Sequence, residues 1–194
     1  MKTEYTNKQK LQRLTTASVL TALSIVLMVT IRFPIFPAAP FYEMEFADVP
    51  ILVCSWLFGP IYSLVSLLVV CIIQTLTVSS GSGFIGFFMH LLSSGLLIIV
   101  LSLFKKLALK NKGIKSVIIR VAASVAGVLA VIAVMIPMNI WQASLFMNMS
   151  AKDFAESMLW ICVAFNAIKA GCNVLIYNIL SPQLFKLYNK LFNR

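Results

Sequence analysis

Apolar positions run along this chain in long, almost unbroken stretches, at about 14–31, 47–58, 60–78, 84–104, 117–137 and 157–181. A helix needs roughly 20 apolar residues to cross about 30 Å of hydrocarbon, whereas the helix of a soluble domain keeps its apolar residues to one stripe. The pattern therefore predicts an all-α membrane protein, one integral membrane domain over residues 1–194 with six transmembrane helices, five being the alternative count. The second stretch is short and is parted from the third only by Gly59-Pro60. Proline lacks a backbone donor and glycine tolerates unusual dihedrals, so that joint predicts a tight hairpin or a broken helix. Irregular backbone survives at membrane depth only when shielded from lipid, so the short pair is expected beside a cavity.

Composition agrees with the pattern. Of 194 residues 60% are hydrophobic and 11% charged, with mean hydropathy +0.95. The net charge of +10 would suggest a nucleic-acid partner in a soluble chain, but its placement argues otherwise. All basic residues except Arg32, Lys152 and Lys169 fall in the N-terminal tail, between the fourth and fifth stretches (with Arg120 just beyond), or in the C-terminal tail. Glu43, Glu45, Asp48, Asp153 and Glu156 fall on the opposite side of the predicted topology. Basic residues gather on the cytoplasmic side of membrane proteins, so six spans with N- and C-termini cytoplasmic account for the separation without nucleic acid. The expected location is the cell (plasma) membrane, multi-pass, with the first span retained rather than cleaved as a signal peptide. Cys54, Cys71, Cys162 and Cys172 all lie in apolar stretches without ligand spacing, and read as packing residues rather than as a metal site or disulfide framework.

Polar groups inside the spans carry the candidate chemistry. Asn166, Lys169 and Asn173 lie within about 60° of one another on a helix, and Cys162 and Tyr177 extend the stripe. A lysine at that depth costs about 2.5–3.5 kcal/mol on insertion scales, so it is expected to face a cavity, to pair with an acid such as Asp48, or to snorkel outward. Gly83, Gly86, His90 and Ser94 form a second stripe, with the sole histidine reading equally as a helix-to-helix hydrogen bond or a ligand contact; Gln74 and Trp141 are further candidates. Ser18 and Ala22, with Ala17 and Thr21 one register over, form small-xxx-small pairs that mark a partner face on the first span. The loop Arg32-Phe-Pro-Ile-Phe-Pro-Ala-Ala-Pro-Phe-Tyr-Glu43 is stiff and aromatic, a lid or an interfacial belt. The turn Ser79-Ser-Gly-Ser-Gly83 lacks the phosphate-loop pattern, and no nucleotide-hydrolysing or metalloprotease motif occurs. A membrane enzyme and a purely structural subunit remain as other classes.

These residues resemble those of the substrate-binding S components of energy-coupling factor (ECF) transporters, the RibU-like riboflavin group in particular. The likeness rests on the small-xxx-small pair, on Phe33-Pro34, Pro37 and Pro40, on Glu45-Phe-Ala-Asp-Val-Pro50 with Phe58-Gly-Pro60, and on Ala164-Phe-Asn-Ala-Ile-Lys-Ala-Gly171. It departs from the group at Val70-Cys71, His90 and Ala164. The resemblance implies a six-helix fold, a vitamin site beneath the first loop, and assembly with a transmembrane coupling subunit and two cytoplasmic ATPase subunits. It implies no cofactor, riboflavin being the transported ligand, with another vitamin or heterocyclic precursor as the alternative. Asn166 and Lys169 are then expected to contact the flavin, and Ser18 and Ala22 to meet the coupling subunit. Asn173, His90 and Asp48 complete the expected substrate-binding set.

Overall fold

The computed structural model describes residues 6–78 and 83–192. Helix α1 (Asn7–Thr30) leads into an antiparallel hairpin of β1 (Arg32–Pro34) and β2 (Glu43–Glu45). Helices α2 (Asp48–Phe58), α3 (Pro60–Leu76), α4 (Gly83–Lys110), α5 (Ile114–Met147), α6 (Ala151–Ser157) and α7 (Leu159–Phe192) follow. The architecture is helical, as the apolar pattern requires, except that the proline-rich loop pairs with itself as a short hairpin. Residues 79–82 of the serine–glycine turn lie outside the described residues.

Helices α1, α4, α5 and α7 are long and apolar enough to cross a membrane, by length and composition. Helix α2 has 11 residues and α3 has 17. At 1.5 Å per residue α2 is about 16 Å long, roughly half the hydrocarbon thickness. Gly59 makes the joint between them, with φ 98° and ψ 174°, and Pro60 starts α3 where its missing donor costs nothing. The two helices return antiparallel: Ser63 Oγ donates to the Ile51 carbonyl at 2.7 Å, and Gln74 near the end of α3 reaches Glu45 just before α2. The helices outrun the apolar stretches that end at about 137 and 181: α5 continues ten residues past Pro137 and α7 ten past Pro182. Neighbouring helices and local adjustment re-satisfy the backbone group that an interior proline frees. Trp141, which falls after the apolar stretch ending at about 137, therefore lies within α5.

The main core lies among α2, α3, α4, α5 and α7, where Ile51, Leu52, Leu67, Val70, Leu97 and Ile98 are almost fully enclosed. A second cluster of Tyr42, Phe154, Cys162 and Phe165 sits beneath the hairpin. Large apolar side chains such as Leu23, Val65, Ile99, Leu129 and Leu175 face outward, which fits a hydrocarbon surrounding and not water. The two ends of the bundle differ in charge. Arg13 lies over the Phe58 and Tyr62 rings, Lys105 Nζ donates to the Ser55 carbonyl at 3.1 Å, and Arg120 Nη1 donates to the Asn178 carbonyl at 2.8 Å, all at the Gly59 end. Glu43, Glu45 and Asp48 occupy the hairpin end.

Candidate functional site

A cavity of about 140 Å³ opens at the hairpin end, between β1, β2 and helices α3, α4, α5 and α7. The hairpin aims its charges there because side chains alternate along a strand: Arg32, Glu43 and Glu45 share one face, while Phe33 and Met44 take the other. From α7 come Phe165, Asn166 and Lys169, the latter two three residues apart and hence neighbours on one face. Helix α4 supplies Gly86, Met89, His90 and Ser93, and α5 supplies Asn139 and Gln142. Tyr42 stacks on Phe165, with ring centroids 4.7 Å apart and 24° between planes, and donates from Oη to Asn139 Oδ1 at 2.7 Å.

The floor is a continuous buried polar network. Lys169 Nζ donates to Glu45 Oε1 at 2.9 Å, and Gln74 Nε2 donates to the same carboxylate at 3.3 Å and 3.4 Å. Gln74 Oε1 meets His90 Nδ1, whose other nitrogen Nε2 is 3.1 Å from Asp48 Oδ1. Asn173 Nδ2 donates to Asp48 Oδ2 at 3.3 Å. Glu45 and Asp48 are each only 2% exposed. Carboxylates that deep require paired, hydrogen-bonded partners, and the chain supplies them from three different helices. Burial raises the Glu45 pKa, but the Lys169 and His90 charges outweigh it and hold the carboxyl below its ordinary value. Burial also pushes the Tyr42 hydroxyl well above its ordinary value, so it remains a donor at neutral pH.

The predicted residues separate into two layers. Asn166, Lys169 and His90 line the cavity, whereas Asp48 and Asn173 lie behind it and fix the histidine. Lysine 169 is paired with Glu45, and not with the Asp48 partner considered from sequence. Ser18 and Ala22 lie on the exposed side of α1, away from the cavity, while Ala17 is buried and Thr21 Oγ1 donates to Ser66 Oγ at 2.8 Å. Trp141 lies with Met138 and Leu92 in an outward-facing apolar groove. Sequence reading alone assigned no site role to Arg32, Tyr42, Glu45, Asn139 or Gln142. Glu45 had a signal, since a carboxylate two positions from Glu43 on a strand shares its face, but its depth did not.

A second, largely apolar chamber of about 240 Å³ adjoins the first, lined by Phe146, Met147, Phe154 and Met158. The two share Phe41, Tyr42, Asn139 and Gln142, so the Tyr42–Asn139 hydrogen bond stands at their common wall. Small-molecule pockets run from about 300 Å³ upward, so a ligand of vitamin size needs both chambers. Among the described residues, no group of three or more His, Cys, Asp or Glu is arranged to hold a metal ion.

The family described as "ECF transporter, substrate-specific component" matches residues 12–181 of the sequence. A solved structure described as the S component of a bacterial ECF transporter superposes with a TM-score of 0.71 at 22% identity, covering 92% of this chain and 98% of that one. No curated protein matches the chain. At that identity the structural likeness speaks for the fold.

Proposed function

This chain belongs to the substrate-specific components of ECF transporters, and we propose that it is the subunit that binds riboflavin for uptake. As an S component it is a substrate-binding transporter subunit and not an enzyme, and its family implies assembly with the transmembrane coupling subunit and the ATPase subunits of the ECF module. We read α2 and α3 as two short spans beside the four long ones, with both termini cytoplasmic in the cell membrane. The gathering of Arg13, Lys105 and Arg120 at the end opposite Glu43, Glu45 and Asp48 supports that orientation.

The observation that carries the riboflavin reading is the joining of a hydrogen-bonding floor to an aromatic wall in one cavity. The flavin pyrimidine edge presents carbonyl oxygens flanking an N–H, and Lys169 offers a cationic donor beside them. Asn166 Nδ2 donates to the Cys162 carbonyl at 2.8 Å, so its Oδ1 is the atom that can accept the flavin N–H. Tyr42, Phe165 and Phe41 supply flat apolar surface for the ring system, and the apolar chamber beyond Tyr42 accommodates the dimethylbenzene end. Binding of a ligand this long requires Tyr42 to leave Asn139, which makes the hairpin loop the moving part.

A smaller heterocyclic vitamin or precursor is the second reading, favoured by the roughly 140 Å³ of the polar chamber when Tyr42 stays in place. Titrating purified, ligand-stripped protein into riboflavin while following flavin fluorescence decides between them. Stoichiometric quenching is expected; no quenching by a folded sample overturns the riboflavin reading and moves the search to smaller heterocycles.

A further inference from the structure

The hairpin carries a charged pair that the reading above does not use. Arg32 opens β1, Glu43 opens β2, and both line the polar cavity. The guanidinium engages the Glu43 carboxylate through Nε and Nη2. Its Nη1 is buried and has no hydrogen-bond partner among the described residues. Buried N–H groups in folded proteins almost always find an acceptor, and because Arg32 lines the cavity, the hairpin movement that frees Tyr42 also uncovers this N–H to an acceptor supplied by the ligand.

Exposure orders the charges by depth. The side chains of Glu45 and His90 are 3% and 5% exposed, against 19% for Arg32 and 32% for Glu43. Glu43 therefore stands at the mouth and Glu45 at the floor. Arg32 and Lys169 are already joined to the carboxylates of Glu43 and Glu45, and His90 to that of Asp48. Such a wall can donate hydrogen bonds to neutral oxygens but has no surplus positive charge for a phosphate.

We propose that the Arg32–Glu43 pair is the specificity element of this site, an inference that rests on the flavin reading. With the ring's polar edge at Asn166 and Lys169, the ribityl chain runs toward the mouth. There Arg32 Nη1, uncovered when the hairpin moves, donates to a ribityl hydroxyl oxygen, and Glu43, by neutralising Arg32, turns away flavins that end in a phosphate.

Three probes titrated by fluorescence quenching against the wild type, Arg32→Met and Glu43→Gln test this: riboflavin, riboflavin 5′-phosphate, and lumiflavin, which carries a methyl group in place of the ribityl chain. The wild type is expected to bind riboflavin at least about tenfold tighter than its phosphate. Arg32→Met is expected to weaken riboflavin about tenfold while leaving lumiflavin within about twofold, the loss of one charge-assisted hydrogen bond. Glu43→Gln is expected to close most of the gap between riboflavin and its phosphate. A hairpin that is merely damaged by Arg32→Met weakens lumiflavin in parallel, and that result overturns the assignment. So does a gap that Glu43→Gln leaves unchanged, or a wild type that binds the phosphate as tightly as riboflavin. Riboflavin binding with any of those outcomes refutes this inference alone, whereas a folded wild type that binds no riboflavin refutes the flavin reading and this inference with it.

Discussion

Removing Lys169 alone is expected to damage the fold before it reports on the ligand. Its ammonium is 2.9 Å from Glu45 Oε1, and the Glu45 side chain is only 3% exposed. In Lys169→Met the carboxylate keeps, among the described residues, the longer Gln74 contacts and the more distant His90 ring, 3.8 Å from the same oxygen. Breaking a buried pair by removing one partner costs about 3–5 kcal/mol, whereas replacing both partners by groups of similar volume is often nearly neutral. The double variant Lys169→Met with Glu45→Gln should therefore recover most of the stability that either single variant loses, leaving a coupling energy of about 2 kcal/mol or more. Denaturant titration in mixed micelles, followed by Trp fluorescence, measures that cycle. Riboflavin affinity is then measured on the double variant, which keeps the fold but lacks the cationic donor. Loss of one hydrogen bond from a charged group is worth about 1.5–3 kcal/mol, or roughly ten- to a hundredfold in Kd. Single variants as stable as the wild type would show that the pair is not desolvated, and unchanged affinity in the stable double variant would remove Lys169 from the ligand contacts.

Three other perturbations probe separate parts of the molecule. Gly59→Ala places a side chain at φ 98°, ψ 174°, a backbone region nearly reserved for glycine, and should cost about 1–3 kcal/mol by the same denaturant assay although the space around the position is open. Ser18→Trp or Ala22→Trp, both on the exposed side of α1, should leave riboflavin quenching unchanged and abolish uptake in cells carrying the ECF module; normal uptake would rule out that face as the docking surface. Because the folded-state pKa of Glu45 lies below its ordinary value, its contribution to stability is present above about pH 4.3 and is lost only as pH falls through the lower folded value. Melting temperatures taken from pH 7 downward should show that acid-side loss in the wild type and a shallower one in Glu45→Gln.

The helices were legible in the sequence because lipid-facing and core-facing segments are both apolar, which makes each one a long unbroken run. The hairpin of α2 and α3 was legible as well, since Gly59 and Pro60 act through local dihedrals that need no distant partner. The ends of α5 and α7 were not legible, because helix continuation past Pro137 and Pro182 depends on neighbouring helices that local sequence does not name. The α7 stripe of Asn166, Lys169 and Asn173 followed from helical periodicity, but periodicity orients a side chain only relative to its own helix. Which acid Lys169 meets was decided by tertiary structure: the hairpin register turns Glu45 toward the cavity, and α2 carries Asp48 past it to His90 and Asn173. Contacts between residues more than a hundred positions apart, Lys169 with Glu45 and Tyr42 with Phe165 among them, exist only after the helices pack, because the same side chains are compatible with many other pairings until packing excludes them.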